Sequence, residues 1–445
     1  MSKSPVFHRP SWVDQTKQKP LYPQKVSLLC CGIGGPERAA AEAGWKWQAV
    51  NVIDIAEFLK PAVERLHAYM GTPKSALKIG SASGDLLRFE RGRFKELLVG
   101  SDGLVAGPCC PPWSPLGKQG ARGDPRARVF LKVLEIIEWL AHSEESGAQL
   151  KWFVIENVVG ISHRIDGEPP FTDDLEAWAA AAMPDFYFAW GIYKADQCHL
   201  PQSRGRVYCT GIKKEVAYKA GASTTLHIKE MLRPLPAMQP AALADFLEER
   251  SQMDPLPTAP GNKQNVFEYN RVFREIRDDA EKLSKCVDTR IVSRCMSCDT
   301  SRRPTAEFGA FWDIEKVGCL TTQKRYIWLV GEVKHCLWGH GRWLTDRERC
   351  LCAGMRPSSL VPEMSWKHLV LALGNTMPPP QCGRAMTPLM HLVSCFQQEQ
   401  PATPLPSVQD VPSRSEEEED DKFKQSKRST RITQFFHKKQ RVEEL

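Results

Sequence analysis

Between residues 25 and 213, short apolar runs alternate with segments of helical period, and this rhythm restricts the fold more than any other feature of the chain. "KVSLLCCGIGG" reads as a buried strand breaking into a glycine turn, and "PERAAAEAG" as a helix ended by Gly44. "WQAVNVIDI" and "AEFLKPAVERLHAYM" repeat the pair, while "LKIGSASGDL" and "DGLVAGP" end two further strands. "VFLKVLEIIEWLAH" is a strongly amphipathic helix ahead of the strand "WFVIENV", and "FYFAWGIYKA" with "RVYCTGI" reads as a closing strand pair. The alternation predicts an α/β fold, a doubly wound and mostly parallel Rossmann-like sheet in a domain over residues 25–213. In such a sheet ligands bind beyond the carboxyl ends of the strands, so residues at those ends are the ones to inspect for chemistry.

Outside that stretch the organisation changes. Residues 1–24 form a polar lead-in without the apolar core of a secretory signal, and no run reaches the roughly 18 apolar residues of a membrane span. From about Lys213 to Glu315 prolines, charged helical segments and cysteines mix without an obvious sheet, so 214–315 is expected to be a smaller, irregular domain. Regular signals resume at "YIWLVGE", followed by "WLTDRERCLCAGM" and "HLVLALGNTMPPP"; residues 316–396 are expected to return to the first domain. The remainder, 397–445, is proline-rich, then acidic in "SRSEEEEDD", then basic in "KQSKRSTR", the composition of a disordered tail. Fifteen cysteines without a regular framework imply reduced thiols, in cytosol or nucleus. Cys295 and Cys298 have zinc-ligand spacing and could join Cys286 and Cys319, but the other intervals are irregular and no metal is assigned. The net charge of +7 leans only weakly toward a polyanionic partner.

Two turns carry chemistry-bearing residues. In "CCGIGG", Gly32, Gly34 and Gly35 stand between strand and helix, where a side chain would obstruct a nucleotide-like ligand. Their spacing is tighter than the dinucleotide fingerprint, so a purely structural glycine turn is an equal reading. Asp85 in "SGDL" could bond an exocyclic amine such as adenine N6, or simply cap a helix. The second turn, "GPCCPPWSP", sets Cys109 and Cys110 among four prolines. A cysteine there becomes a nucleophile if positive charge favours its thiolate, and Lys118, Arg122, Arg126 and Arg128 crowd the residues that follow. Inert packing is the alternative for either thiol. Glu156 closes the strand "VIENV" on the same rim and is a candidate acid. Arg204 and Arg206 alternate in "LPQSRGRVY", so on a strand both face one side and suit phosphate or a polarised carbonyl; a solvated face is the alternative.

Taken in order, these motifs resemble those of the cytosine-C5 methyltransferases, which use S-adenosylmethionine to methylate cytosine in DNA or, in one branch, tRNA. "LLCCGIGG" is similar to the family's first motif, "SGDL" to its adenine-contacting aspartate motif and "GPCCPPWS" to its catalytic proline–cysteine motif. "ENV" is similar to the glutamate motif, "QSRGR" to Q-x-R-x-R, "LTDRERCLCAGM" to the RE-x-x-R-L-Q-G element and "LGNTM" to the closing G-N motif. The resemblance covers about residues 26–213 and 316–392, and places the family's target-recognition region at 214–315.

What it implies can be stated residue by residue. Cys110 would be the nucleophile, because two residues separate it from Trp113 and Ser114 as in the family, and Cys109 would take the place of a cofactor-side proline. Glu156 would protonate or hydrogen-bond cytosine N3, Arg204 would polarise the O2 side of the ring, and Arg206 would hold Glu156 and nearby phosphate. S-adenosylmethionine would meet Cys30, Cys31, Gly32, Ile33, Gly35, Ile53, Asp54, Asp85, Leu86, Cys109, Asn375 and Thr376. Double-stranded DNA, with its target cytosine flipped out, would meet Ser114, Lys118, Gln119 and Arg126. Three positions depart from the family pattern: Cys30 for a phenylalanine, Val52 for a ribose-binding glutamate with Asp54 two residues on, and Pro111 for a glutamine. They bear on cofactor affinity more than on chemistry.

The tail segment "STRITQFFHKK" resembles the peptide that docks on the replication sliding clamp PCNA. Ile432, Phe435 and Phe436 would form the apolar plug, although Ser429 stands where glutamine is usual. A nuclear-import segment is the alternative, and both readings imply a nucleus. The expectation is a monomeric DNA (cytosine-5)-methyltransferase recruited to replication or repair. A tRNA methyltransferase is one alternative ("CLTT" at Cys319 is only similar to that branch's C-F-T element), and a clamp-tethered DNA-binding module with a decayed cofactor pocket is another.

Overall fold

The computed structural model describes residues 23–114, 120–248, 260–278, 295–299, 303–305, 312–314, 316–321, 327–331, 341–360 and 364–398. Seven strands form one sheet: β1 (Gln24–Leu29), β2 (Trp47–Asp54), β3 (Leu77–Ile79), β4 (Gly103–Ala106), β5 (Trp152–Val158), β6 (Phe186–Lys194) and β7 (Gly205–Lys213). Their order is β3-β2-β1-β4-β5-β7-β6. The first five pair in parallel and β7 runs antiparallel between β5 and β6. This is the predicted α/β sheet, with the expected closing strand pair. The order reverses between β1 and β4, and the crevice at that switch point lies beside the carboxyl ends of both strands. Every residue of β5 is buried, as a strand covered by helices on both faces must be.

The helices follow from local sequence. Pro36 opens α1 (Gly35–Ala43), and left-handed Gly44 closes it by donating its N–H to Ala41 O. α1 and α2 (Lys60–Tyr69) cover one face of the sheet, where Val26, Leu28, Ala39 and Val63 share a core. Beyond the short α3 (Phe94–Leu97), α4 (Ala127–His142) and α5 (Phe171–Ala182) cover the other face, packing Phe130, Leu134 and Leu175 onto Leu29 and Leu104. Among the described residues no helix is long and apolar enough to cross a membrane.

The expected division of the remaining chain is redrawn. α6 (Lys214–Lys219) and α7 (Thr225–Met231) belong to the first domain, because Val216, Ala217, Ile228 and Leu232 lie in its core, as do Leu243 and Leu247 further on. A separate antiparallel sheet of order β11-β10-β8-β9 is built from β8 (Cys295–Asp299), β9 (Trp312–Ile314), β10 (Ile327–Gly331) and β11 (Arg342–Trp343). Its strands β8 and β9 fall where no sheet was expected, whereas β10 and β11 lie within 316–396, and Ile327 and Leu329 of β10 pack in the core of the first domain. Strands this short carry too little alternation to register in sequence. From α8 (Pro260–Asp278), Val266, Tyr269 and Phe273 pack against Met296 and Cys298 of β8. The chain then rejoins the first domain through α9 (Asp346–Cys352), α10 (Trp366–Asn375) and α11 (Pro379–Gln398), with Cys350, Leu369 and Leu389 in its core.

Candidate active site

The first turn is formed by three left-handed residues: Cys30 at φ 54°, Gly32 at φ 61° and Gly34 at φ 78°. Asp54, at the end of β2, fixes it, since Gly32 N–H donates to one carboxylate oxygen (3.1 Å) and Ala56 N–H to the other (2.9 Å). The loop after α10 lies over the turn. A side chain at Gly35 would overlap the Met377 carbonyl, and one at Gly32 would touch Asn375 O at 3.8 Å. Thr376 is buried and its hydroxyl oxygen finds no partner among the described residues. Gly107, just beyond β4, completes the cleft: a Cβ there would stand 2.9 Å from both Cys30 O and Met377 Cε and 3.7 Å from Glu156 Oε2.

This arrangement fits the expected cofactor, although not through every residue named for it. The side chains of Cys31, Ile33, Ile53 and Leu86 are buried, between 1% and 4% exposed. Strand alternation explains Ile53: Val52 and Ile53 are buried on opposite faces of β2, and the first apolar side chain beyond the strand is Ile55, 53% exposed. Ile55 was not singled out in sequence; its signal was an apolar residue one step beyond a strand-end carboxylate. Val52 is buried and the rim carboxylate is Asp54. Asp85 takes the capping alternative, accepting from Leu87 N–H at 3.0 Å, with Arg88 3.4 Å away. Its carboxylate still faces the cleft: with Asp54 and Cys109 it acts on the Cys30 thiol, which burial first and these neighbours second hold well above the usual thiol range.

The second turn is braced from three sides. Trp113 N–H donates to Cys110 O (3.1 Å), Ala121 N–H to Pro112 O (3.0 Å) and Asn157 Nδ2 to Pro108 O (3.1 Å). Trp113, 1% exposed, anchors the turn with its ring centroid 4.8 Å from that of Phe171 and 5.5 Å from that of Phe130. Both cysteines are partly buried, and burial pushes the Cys109 thiol up to about 11. Burial also raises Cys110, opposed chiefly by Arg206 and then by Arg204, with Glu156 adding to the rise. The cations thus moderate the effect of burial on Cys110 without overcoming it.

Glu156 is also buried, which lifts its carboxyl above the usual range against the pull of Arg206 and Arg204. Arg206 Nε stands 2.9 Å from Glu156 Oε1. Arg204 is buried close enough to act on both Cys110 and Glu156. Its guanidinium donates to the carbonyls of Leu320 (2.9 Å), Gly374 (3.1 Å) and Thr376 (2.6 Å), which ties the cofactor-side loop to the main sheet.

Of the residues expected at DNA, Ser114 flanks the cysteine turn, with its N–H directed at Pro111 O (3.4 Å). Arg126 is paired with Asp124, Nη2 to Oδ2 at 2.5 Å, close enough to act on Cys109 and Cys110. Lys118, Gln119, Cys286 and the tail residues Ile432, Phe435 and Phe436 lie outside the described residues. Cys298 is buried in β8, Cys319 lies beside Arg204, and no group of three or more His, Cys, Asp or Glu among the described residues could hold a metal ion.

Comparison with known proteins agrees with this geometry. The family model for C-5 cytosine-specific DNA methylases matches residues 25–384. The chain is similar to type II methyltransferase M.NgoPII of Neisseria gonorrhoeae, 25% identical over 251 residues, which are 56% of this chain and 63% of that relative. It is similar to M.FnuDI of Fusobacterium nucleatum, 28% identical over 121 residues, 27% of this chain and 32% of that relative. Among solved structures, Entamoeba histolytica methyltransferase EhMeth aligns with a TM-score of 0.51 at 13% identity, covering 83% of this chain and 98% of that one. A Spodoptera frugiperda DNMT2 variant aligns with a TM-score of 0.50 at 16% identity, covering 83% and 99%. At such identities the structural likeness establishes the fold alone.

Proposed function

Because the chain belongs to the C-5 cytosine-specific DNA methylase family, we propose that it methylates C5 of a cytosine in DNA, with Cys110 as the nucleophile. The observation that carries this reading is the convergence of a turn-borne thiol, a buried carboxyl and the guanidinium of Arg206 beside a glycine-walled cleft. The Gly32 turn, Asp54 and the Thr376 loop would hold S-adenosylmethionine, whose sulfonium would supply an electrophilic methyl group and leave as the neutral thioether S-adenosylhomocysteine.

Cytosine C5 is a weak nucleophile, so the chain must first make it electron-rich. Cys110 Sγ adds to C6, forming an S–C6 bond and moving the electrons of the C5–C6 double bond toward C5. Glu156, whose carboxyl burial raises above the usual range, in its protonated form hydrogen-bonds or protonates N3 and takes up the charge that develops there. Arg206 orients Glu156 and eases ionisation of Cys110. Once C5 bears the methyl group, its proton leaves to water and the S–C6 bond breaks, restoring the double bond and the thiolate. C5 and C6 lie within the base stack of a duplex, so the cytosine has to be turned out into the cleft.

The tail extends the proposal: Ile432, Phe435 and Phe436 would recruit the enzyme, as a monomer, to the sliding clamp in a nucleus. What supports this is their apolar pattern among basic residues. Incubation with labelled S-adenosylmethionine and either duplex DNA or tRNA, followed by mapping of the labelled base, tests the reaction. Label on DNA C5 is expected; label confined to tRNA would move the chain to the tRNA branch. Phe435→Ala with Phe436→Ala should abolish clamp capture and leave methylation of free DNA unchanged.

A further inference from the structure

Arg122 follows the cysteine turn in sequence, and nothing in the reaction requires it. Its guanidinium is nevertheless heavily engaged. Nε and Nη2 lie 2.5 Å from Oδ2 of Asp174, whose side chain is 0% exposed; Nη1 lies 3.1 Å from Glu168 Oε2, and Nη2 donates to Pro169 O at 3.2 Å. The same group sits 5.8 Å above the ring centroid of Phe171. Phe171 opens α5 and packs on Trp113, the residue whose N–H closes the Cys110 turn.

The neighbouring backbone adds a second constraint. Ala121 holds φ at 42°, a conformation an alanine adopts only when its surroundings impose it, and from there donates to Pro112 O. Thus residues 112 and 121 are drawn together, and the next residue along is pinned to α5. We propose that Arg122 is a positioning residue for Cys110: by fastening the downstream limb of the turn to the helix that also holds Trp113, it fixes the direction of the thiol. A lysine could retain the charge near Asp174 but could not bridge Asp174, Glu168 and Pro169 at once, because its ammonium is a point charge where arginine presents a planar fork.

The proposal rests on the methyl-transfer reading for its catalytic consequence, but its structural part is tested without it. In full-length protein, alkylation of Cys110 by iodoacetamide should differ at least about threefold between wild type and Arg122→Ala, since a released turn changes the access and environment of the thiol. Trapping on a 5-fluorocytosine duplex with S-adenosylmethionine should slow about tenfold or more in Arg122→Ala, and less in Arg122→Lys, with cofactor affinity within about threefold of wild type, because small misplacements of a nucleophile cost rate rather than binding. Should Arg122→Ala fail to fold, Arg122→Lys, which keeps a cation beside buried Asp174, carries both measurements. Wild-type rates of alkylation and trapping in a folded variant would overturn the proposal. A wild-type protein that forms no adduct would instead count against the methyl-transfer reading, and the alkylation rate would still decide the role of Arg122.

Discussion

Arg206 Nε and Glu156 Oε1 stand 2.9 Å apart, and the same guanidinium is the strongest influence opposing the burial that raises the Cys110 thiol. One cation therefore tunes both the acid and the nucleophile. Glu156 must be protonated, so activity falls as pH rises through its pKa; Cys110 must ionise, so activity grows as pH rises through its own. Both groups are pulled down by Arg206. Replacing it by glutamine should lower the maximum rate by about 100-fold, as loss of a charge-stabilising donor commonly does. Both limbs of the bell-shaped kcat/KM profile should then move to higher pH, as the macroscopic values of a coupled pair. A profile that keeps its position, or moves toward acid, would contradict this division of labour.

The two adjacent thiols are predicted to behave differently. Cys109, held at about 11 by burial, remains a thiol at neutral pH and faces the Cys30 side of the cleft. Cys109→Ala should retain activity within about tenfold, since no thiolate is lost. Cys110→Ser should abolish both methyl transfer and the adduct with 5-fluorocytosine DNA, because a hydroxyl is far less ionised than a thiol. Peptide mapping of the trapped complex by mass spectrometry distinguishes the two, and an adduct on residue 109 would reassign the nucleophile.

Gly107 is predicted to be intolerant of a single methyl group. An alanine Cβ would press on Cys30 O and Met377 Cε, each 2.9 Å away, while facing Glu156. The backbone of the Cys30 turn would have to yield, and overpacking of this kind costs about 1–3 kcal/mol. Gly107→Ala should therefore weaken S-adenosylmethionine binding about tenfold or more, measured by titration calorimetry. Gly123→Ala, with nothing within 4 Å of its added Cβ, serves as the control.

How far these features could be read from sequence depends on the distance over which each is determined. The main sheet and its α1, α2 and α4 partners follow from local periodicity, and the glycine and cysteine turns sit at strand ends because chain order places them there. The carbonyl partners of Arg204 could not be read, because Leu320, Gly374 and Thr376 are remote in sequence and their carbonyls carry no side-chain signal. β8 and β9 were not foreseen because five- and three-residue strands take their identity from pairing across the chain.

Glu348, whose carboxylate is 0% exposed, ties β11 to α9 and to the backbone at Glu248. Arg342 of β11 donates to it twice, at 2.8 and 2.6 Å, and the N–H groups of Thr345 and Glu248 add bonds of 2.8 and 2.7 Å. The same glutamate completes the capping box that begins α9. Removing it would leave the buried Arg342 without its counter-charge, and loss of one partner of such a pair costs about 3–5 kcal/mol. Glu348→Ala should lower the urea midpoint by that amount of stability. Glu348→Ala combined with Arg342→Met should recover part of the loss, since replacing both members removes the isolated charge. If the single and double variants unfold at the same urea concentration, the cost of Glu348→Ala does not come from the unpaired charge of Arg342.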